Sequence, residues 1–115
     1  MSKKEFKKEA LTQARGSAQN WNIECSISEK DIILPNKCCL LDIPLDYNID
    51  ENTYINSAQL IRLNKKLGYT KNNILIISEK ARKVVDNLSL HEIKFLAENL
   101  EQKIVESKIH EDRKS

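Results

Sequence analysis

The chain has 115 residues, 40% of them hydrophobic, with 19 Lys+Arg against 17 Asp+Glu and a formal net charge of +2. That length closes one modest core and predicts a single domain over 1–115. Near-balanced charge excludes a general polycation, so any attraction to nucleic acid must come from local charge placement, and the 5% aromatic content excludes a broad base-stacking platform.

Cys25, Cys38 and Cys39 are odd in number and form no CxxC pair, which argues against a disulfide framework or a zinc knuckle and for a reducing compartment. No apolar run reaches transmembrane length, and the Met-Ser-Lys-Lys-Glu start lacks the apolar stretch of a signal peptide. A cytoplasmic protein with no membrane partner is expected.

In chain order, Phe6, Ala10, Leu11, Ala14 and Ala18 recur at helical spacing and predict an amphipathic helix over 3–20. Its basic residues Lys3, Lys4, Lys7, Lys8 and Arg15 suit either a solvated face or a phosphate-contacting one. Residues 21–27 alternate as a short strand. Ser28 with Asp31 reads as a capping box that opens one or two helical turns, ended by Pro35. Residues 38–45 suit a short apolar strand or turn, and 46–56 a polar loop containing Asp46, Asp50 and Glu51. Residues 59–63 and 73–77 suit two strands joined by turn residues around Asn64 and Gly68. Ser78 is placed to cap a helix that runs to about Asp86, and Ser89 with Glu92 to cap a last helix. Ile93, Leu96, Ala97, Leu100 and Ile104 give that helix one apolar face, and the tail after Lys108 reads as frayed. The predicted fold class is α+β: an N-terminal helix, short strands, a β-hairpin followed by a helix, and a C-terminal amphipathic helix.

The order of motifs resembles a family of small HNH endonuclease-like proteins common in bacteriophages, whose site is a ββα-metal unit. Ala14-Arg15 matches the end of that family's first helix. Ser28, Asp31, Ile32 and Pro35, then Cys38, Leu41, Ile43, Pro44 and Leu45, match a "T/S-x-E-D-I…P-x-x-C-P-x-L-G-I-P-L" block. Leu60, Arg62, Leu63, Gly68, Tyr69, Asn73, Ile74, Ile77, Ser78 and Ala81 match an "S-L-D-R-I-D-x-x-x-G-Y-x-x-x-N-V-x-x-I-S-x-x-A-N-x-x-K" block, and Ser89 with Glu92 match the last cap. The resemblance spans about residues 10–104.

The departures fall on the chemistry that the resemblance implies. The family's first acid falls on Ile61, its second on Asn64, its helix Asn on Arg82 and its Lys on Val85; the Cys-Pro pair is Cys38-Cys39 and the following Gly is Asp42. Arg62 and Asn73 remain as remnants. A nuclease of this kind needs oxygen ligands for magnesium and a general base, usually His, yet residues 52–78 contain no Asp, Glu, His or Cys. His91 and His110 lie in or after the last helix. No catalytic residue and no metal ligand is therefore assigned, and Mg2+ enters only if nuclease activity persists.

Between residues 59 and 83 the cations Arg62, Lys65, Lys66, Lys71, Lys80, Arg82 and Lys83 face one acid, Glu79. This asymmetry predicts a nucleic-acid partner, DNA favoured, bound by backbone phosphates on a catalytically degenerate scaffold. Two alternatives are a protein-interaction module and a residual metal-dependent nicking endonuclease.

Overall fold

The computed structural model describes residues 2–48 and 55–107. The loop acids Asp50 and Glu51, His110 and the tail after Lys108 lie outside the described residues. The chain divides into two compact units, residues 1–82 and 83–115.

In the first unit, helix α1 (Lys3–Trp21) opens on a capping box that the sequence reading missed. The Ser2 hydroxyl accepts the Glu5 N–H at 3.1 Å, and the Glu5 carboxylate accepts back from the Ser2 N–H at 3.4 Å. The helix buries Phe6, Ala10, Leu11, Ala14 and Ala18, the spacing read from the sequence. It ends at Asn22, whose left-handed backbone (φ 54°) an Asn side chain tolerates, with the Ile23 N–H closing onto the Ala18 carbonyl at 2.9 Å.

That ending overturns the expected strand over 21–27. Trp21 is the last helical residue and is exposed, and the segment makes a single parallel bridge, Cys25 to Tyr69. The left-handed turn at Asn22 spends the residues that would have extended the strand. Ser28 and Asp31 do open a turn, but only one turn of 3-10 helix, Glu29–Asp31; the Asp31 carboxylate accepts from the Ser28 N–H at 2.8 Å. The next residue, Ile32, is extended and fully buried, which stops the helix before Pro35.

Residues 38–45 form a tight turn and no strand. The Cys38 N–H donates to the Ile43 carbonyl at 2.8 Å and the Asp42 N–H to the Cys38 carbonyl at 2.7 Å, flanked by a Lys37–Pro44 bridge. Asp42 carries the turn in the left-handed region at φ 56°.

The only sheet among the described residues is an antiparallel hairpin of β1 (Ala58–Arg62) and β2 (Ile74–Ser78). Its register pairs Ala58 with Ser78, Leu60 with Ile76, Ile61 with Leu75, and Arg62 with Ile74. Because facing residues share a side of the sheet, Ala58, Leu60, Ile74 and Ile76 form one face. That face closes on Phe6, Ala10, Leu11 and Ala14 of α1, with Ile27, Ile32 and Tyr47 completing the core. Phe6 and Tyr47 meet edge to face at 5.0 Å, and the Tyr47 hydroxyl donates to the Pro35 carbonyl. Burial pushes the Tyr47 phenol up to about 12. Gln59, Ile61, Leu75 and Ile77 form the opposite face, where Ile77 is fully buried.

Helix α2 (Glu79–Asn87) follows β2 directly. Its opening N–H groups are all used: Glu79 donates to the Ser57 carbonyl (2.8 Å), Lys80 to the Ile55 carbonyl (2.9 Å), and Ala81 to the Ser78 hydroxyl (3.2 Å). Ser78 therefore caps the helix, as its sequence position implies.

The second unit contains the end of α2 and helix α3 (Leu90–Ser107). The Ser89–Glu92 capping box forms as read: the Ser89 N–H reaches the Glu92 carboxylate at 2.8 Å and the Glu92 N–H the Ser89 hydroxyl at 3.1 Å. None of the residues of α3 is buried.

Candidate nucleic-acid interface

The hairpin loop between Arg62 and Ile74 is where the basic residues gather, and two side chains fix its shape. Asn73 is buried, and its amide works at three points. Its Oδ1 accepts the Asn64 N–H at 2.8 Å, while its Nδ2 donates to the Asn64 carbonyl at 3.1 Å and to the Gly68 carbonyl at 2.8 Å. Arg62 works from the strand end. Its Nη1 donates to the Lys65 carbonyl at 2.7 Å and to the Leu67 carbonyl at 2.8 Å, and its guanidinium lies over the Tyr69 ring at 5.4 Å.

Asn64 shapes the start of the loop. Its Oδ1 accepts the Lys66 N–H at 2.9 Å, a local turn that Asp or Asn makes equally well. Gly68 is required by a close approach, since a Cβ there would lie 2.3 Å from the Glu24 carbonyl oxygen. The same approach lets Tyr69 exchange backbone hydrogen bonds with Glu24 and Ser26 at 2.8 and 2.9 Å, which ties the loop to the first half of the chain.

On this frame Lys65, Lys66 and Lys71 are exposed, as is Lys80 in the first turn of α2. Asp31 sits close enough to Lys71 and Lys30 to feel both charges. Its carboxyl lies below the usual Asp range, chiefly through the Ser28 N–H hydrogen bond and with smaller help from those two lysines. Arg82 is engaged differently. It forms a two-pronged ion pair with Glu79, at 2.5 and 2.8 Å, so the only acid of the basic segment and one of its cations neutralise each other. Lys83 opens the second unit.

Of the sequence-predicted set, the structure therefore places Arg62, Lys65, Lys66 and Lys71 around one loop. Arg62 and Asn73 are the loop's internal struts, and Ile61 is half-buried opposite Leu75. What the sequence reading missed is the Arg62–Tyr69 stack. The adjacent Gly68-Tyr69 was a signal, because a glycine that admits close backbone contact delivers the following ring next to the strand end.

The residues at the positions where the resemblance implies metal ligands do not suit a hard divalent cation. Ile61 offers no donor, Asn64 spends its carbonyl oxygen on the turn, and Arg82 is a cation that holds Glu79. Among the described residues no three His, Cys, Asp or Glu side chains gather as a potential metal-holding group.

Cys38 is fully buried beside Ser78, whose hydroxyl donates to its sulfur at 3.4 Å. Burial pushes the thiol up, but hydrogen bonds from the Ser78 hydroxyl and N–H and from the Leu40 and Leu41 N–H groups outweigh it, leaving the thiol below its ordinary value. With no solvent access it serves as packing.

Two of the clefts among the described residues lie elsewhere on the first unit. One, of about 440 Å³ between α1 and β1, is lined by Glu9, Gln13, Asp46, Ser57 and Gln59 among others, and its two carboxylates oppose an anionic ligand. The other places Lys3, Lys4, Lys7 and Lys30 beside Glu29 and Ile33. There Lys3 donates to the Asn36 side chain at 3.3 Å and lies over the Tyr47 ring at 5.3 Å.

In comparisons with protein-family models, with curated proteins and with solved structures, nothing matches this chain. No helix among the described residues is long and apolar enough to cross a membrane.

Proposed function

We propose that this chain is a nucleic-acid-binding protein on a catalytically degenerate HNH-like scaffold of phage or mobile-element origin, acting in the bacterial cytoplasm. It contacts backbone phosphates, of DNA in preference to RNA, through the hairpin loop and the first turn of α2. The observation that carries this reading is a loop held rigid by Arg62 and Asn73 that displays Lys65, Lys66 and Lys71 with no acid between residues 55 and 78. Rigid placement lowers the entropy lost when lysines meet phosphates. The opening N–H groups of α2 are already bonded, so binding rests on side-chain charge and not on the helix terminus.

The test is an electrophoretic mobility series with duplex and single-stranded DNA and RNA across salt concentrations. Binding at low salt that weakens steeply with added salt is expected; no shift with any of them at low salt sinks the proposal. In a plasmid relaxation assay with magnesium or manganese, no nicking is expected. EDTA-sensitive nicking would establish the endonuclease alternative.

The protein-interaction alternative draws on a specific observation, the exposed apolar side chains of α3 in the second unit: Leu90, Phe95, Leu96, Leu100 and Val105.

A further inference from the structure

Helix α3 has 18 residues, is capped at its start, and buries none of them. Helices of this length draw most of their stability from packing an apolar face, and α3 has such a face without a buried contact. Leu90, Ile93, Ala97, Leu100 and Ile104 follow one another at steps of three, four, three and four. That is the heptad spacing of a coiled-coil seam, a/d throughout.

We propose that α3 pairs antiparallel with α3 of a second copy of this chain, making the protein a homodimer. Overlap of the two helices along their whole length sets Ile93 against Ile104 of the other copy and Ala97 against Leu100, each twice by symmetry. The flanking charges then decide the direction. In the antiparallel arrangement Lys94 of each copy meets Glu101 of the other, giving two opposite-charge pairs. Leu96 lies beside Lys103 of the other copy, whose methylene stem covers it. In a parallel arrangement Lys94 would face Ser89 and Glu101 would face Leu96, with no charge pair formed among the described residues. Self-complementary charge on a self-complementary seam specifies a second copy in preference to an unrelated helix. The inference is independent of the nucleic-acid reading, since it uses no residue of the first unit.

Sedimentation of the full chain, in reductant so that the exposed Cys39 cannot cross-link copies, tests it. The chain is expected to sediment as a concentration-dependent dimer. Lys94→Glu or Glu101→Lys alone turns two attractive contacts into two repulsive ones and raises the dissociation constant about tenfold. The double reversal Lys94→Glu/Glu101→Lys restores it to within about twofold of the wild type. Leu100→Glu places a charge in the seam and yields monomer; because Leu100 is exposed, its circular dichroism and thermal transition report whether the rest of the chain still folds. A chain that stays monomeric at hundreds of micromolar overturns the proposal. So does a dimer that Leu100→Glu dissociates but neither charge reversal weakens.

Discussion

Asn73 shows how much of a loop one buried amide can hold. Its buried amide satisfies one N–H and two carbonyls of the hairpin loop; its loss strands the Asn64 N–H and the Gly68 carbonyl, while the Asn64 carbonyl keeps the Leu67 N–H at 3.1 Å. Asn73→Ala is expected to cost about 2–3 kcal/mol in urea denaturation. Asn73→Asp should cost nearly as much, because a carboxylate can accept from Asn64 but cannot donate to the two carbonyls. A loss below about 1 kcal/mol for both would remove Asn73 from this role. Asp42 makes a second residue-scale case. Asp42 occupies the left-handed region at φ 56°, which favours Gly. Its contact with Lys37, 3.9 Å between exposed groups, contributes little. Asp42→Ala is therefore expected to lose about 1 kcal/mol, whereas Asp42→Gly should stay within about 0.5 kcal/mol of the wild type in the same assay. Equal effects of Ala and Gly would mean that the backbone conformation is not what matters there.

At the scale of elements, α1, the hairpin, α2 and α3 were legible because each carries its own periodicity or cap. Phe6 to Ala18 mark a buried stripe, and Ser78 and Ser89 mark two helix starts that the structure keeps. The expected strand over 21–27 failed because alternation alone does not supply a partner. The segment finds only Tyr69, through a contact between residues more than forty positions apart that no local pattern announces. Tyr47 was illegible for the same reason. It lies in a polar stretch, yet it reaches Phe6 and the Pro35 carbonyl across the core. This contact has a consequence at alkaline pH. Burial raises the folded phenol to about 12 from an ordinary 10.0, so the folded state resists ionisation more than the unfolded chain does. The associated stability is fully present below about pH 10 and is lost as pH rises towards 12. Tyr47→Phe should be less stable by about 1 kcal/mol at neutral pH, through loss of the hydroxyl bond, and should lack that part of the alkaline decline. Parallel pH profiles of unfolding for the two proteins would contradict this assignment.

For the whole molecule, a net charge of +2 conceals a separation of charge that only the fold makes usable. The sequence located the basic residues but could not say which of them hold the protein together. Arg62 donates into its own loop and Arg82 clasps Glu79, and such commitments depend on three-dimensional placement that side-chain type does not encode. Under the proposed function the exposed Lys65 and Lys66 meet phosphate, and salt dependence can count them. Each lysine that meets a phosphate of duplex DNA releases condensed counterion and adds about 0.9 to the slope of log affinity against log salt. Lys65→Ala/Lys66→Ala should therefore weaken binding alike for unrelated sequences and reduce the magnitude of that slope by about two. Glu9→Gln/Gln13→Ala, on the acidic cleft between α1 and β1, is the matched control and should leave the slope unchanged. Were the lysine pair to lower affinity while the slope stayed fixed, the loss would come from a disturbed loop and not from charge. Amide exchange at Asn64 would then rise in the same variant, because its N–H is the one that Asn73 holds. An unchanged slope with an unchanged Asn64 amide would place the nucleic-acid contact away from the hairpin altogether, with Lys3, Lys4, Lys7 and Lys30 as the next basic group to substitute.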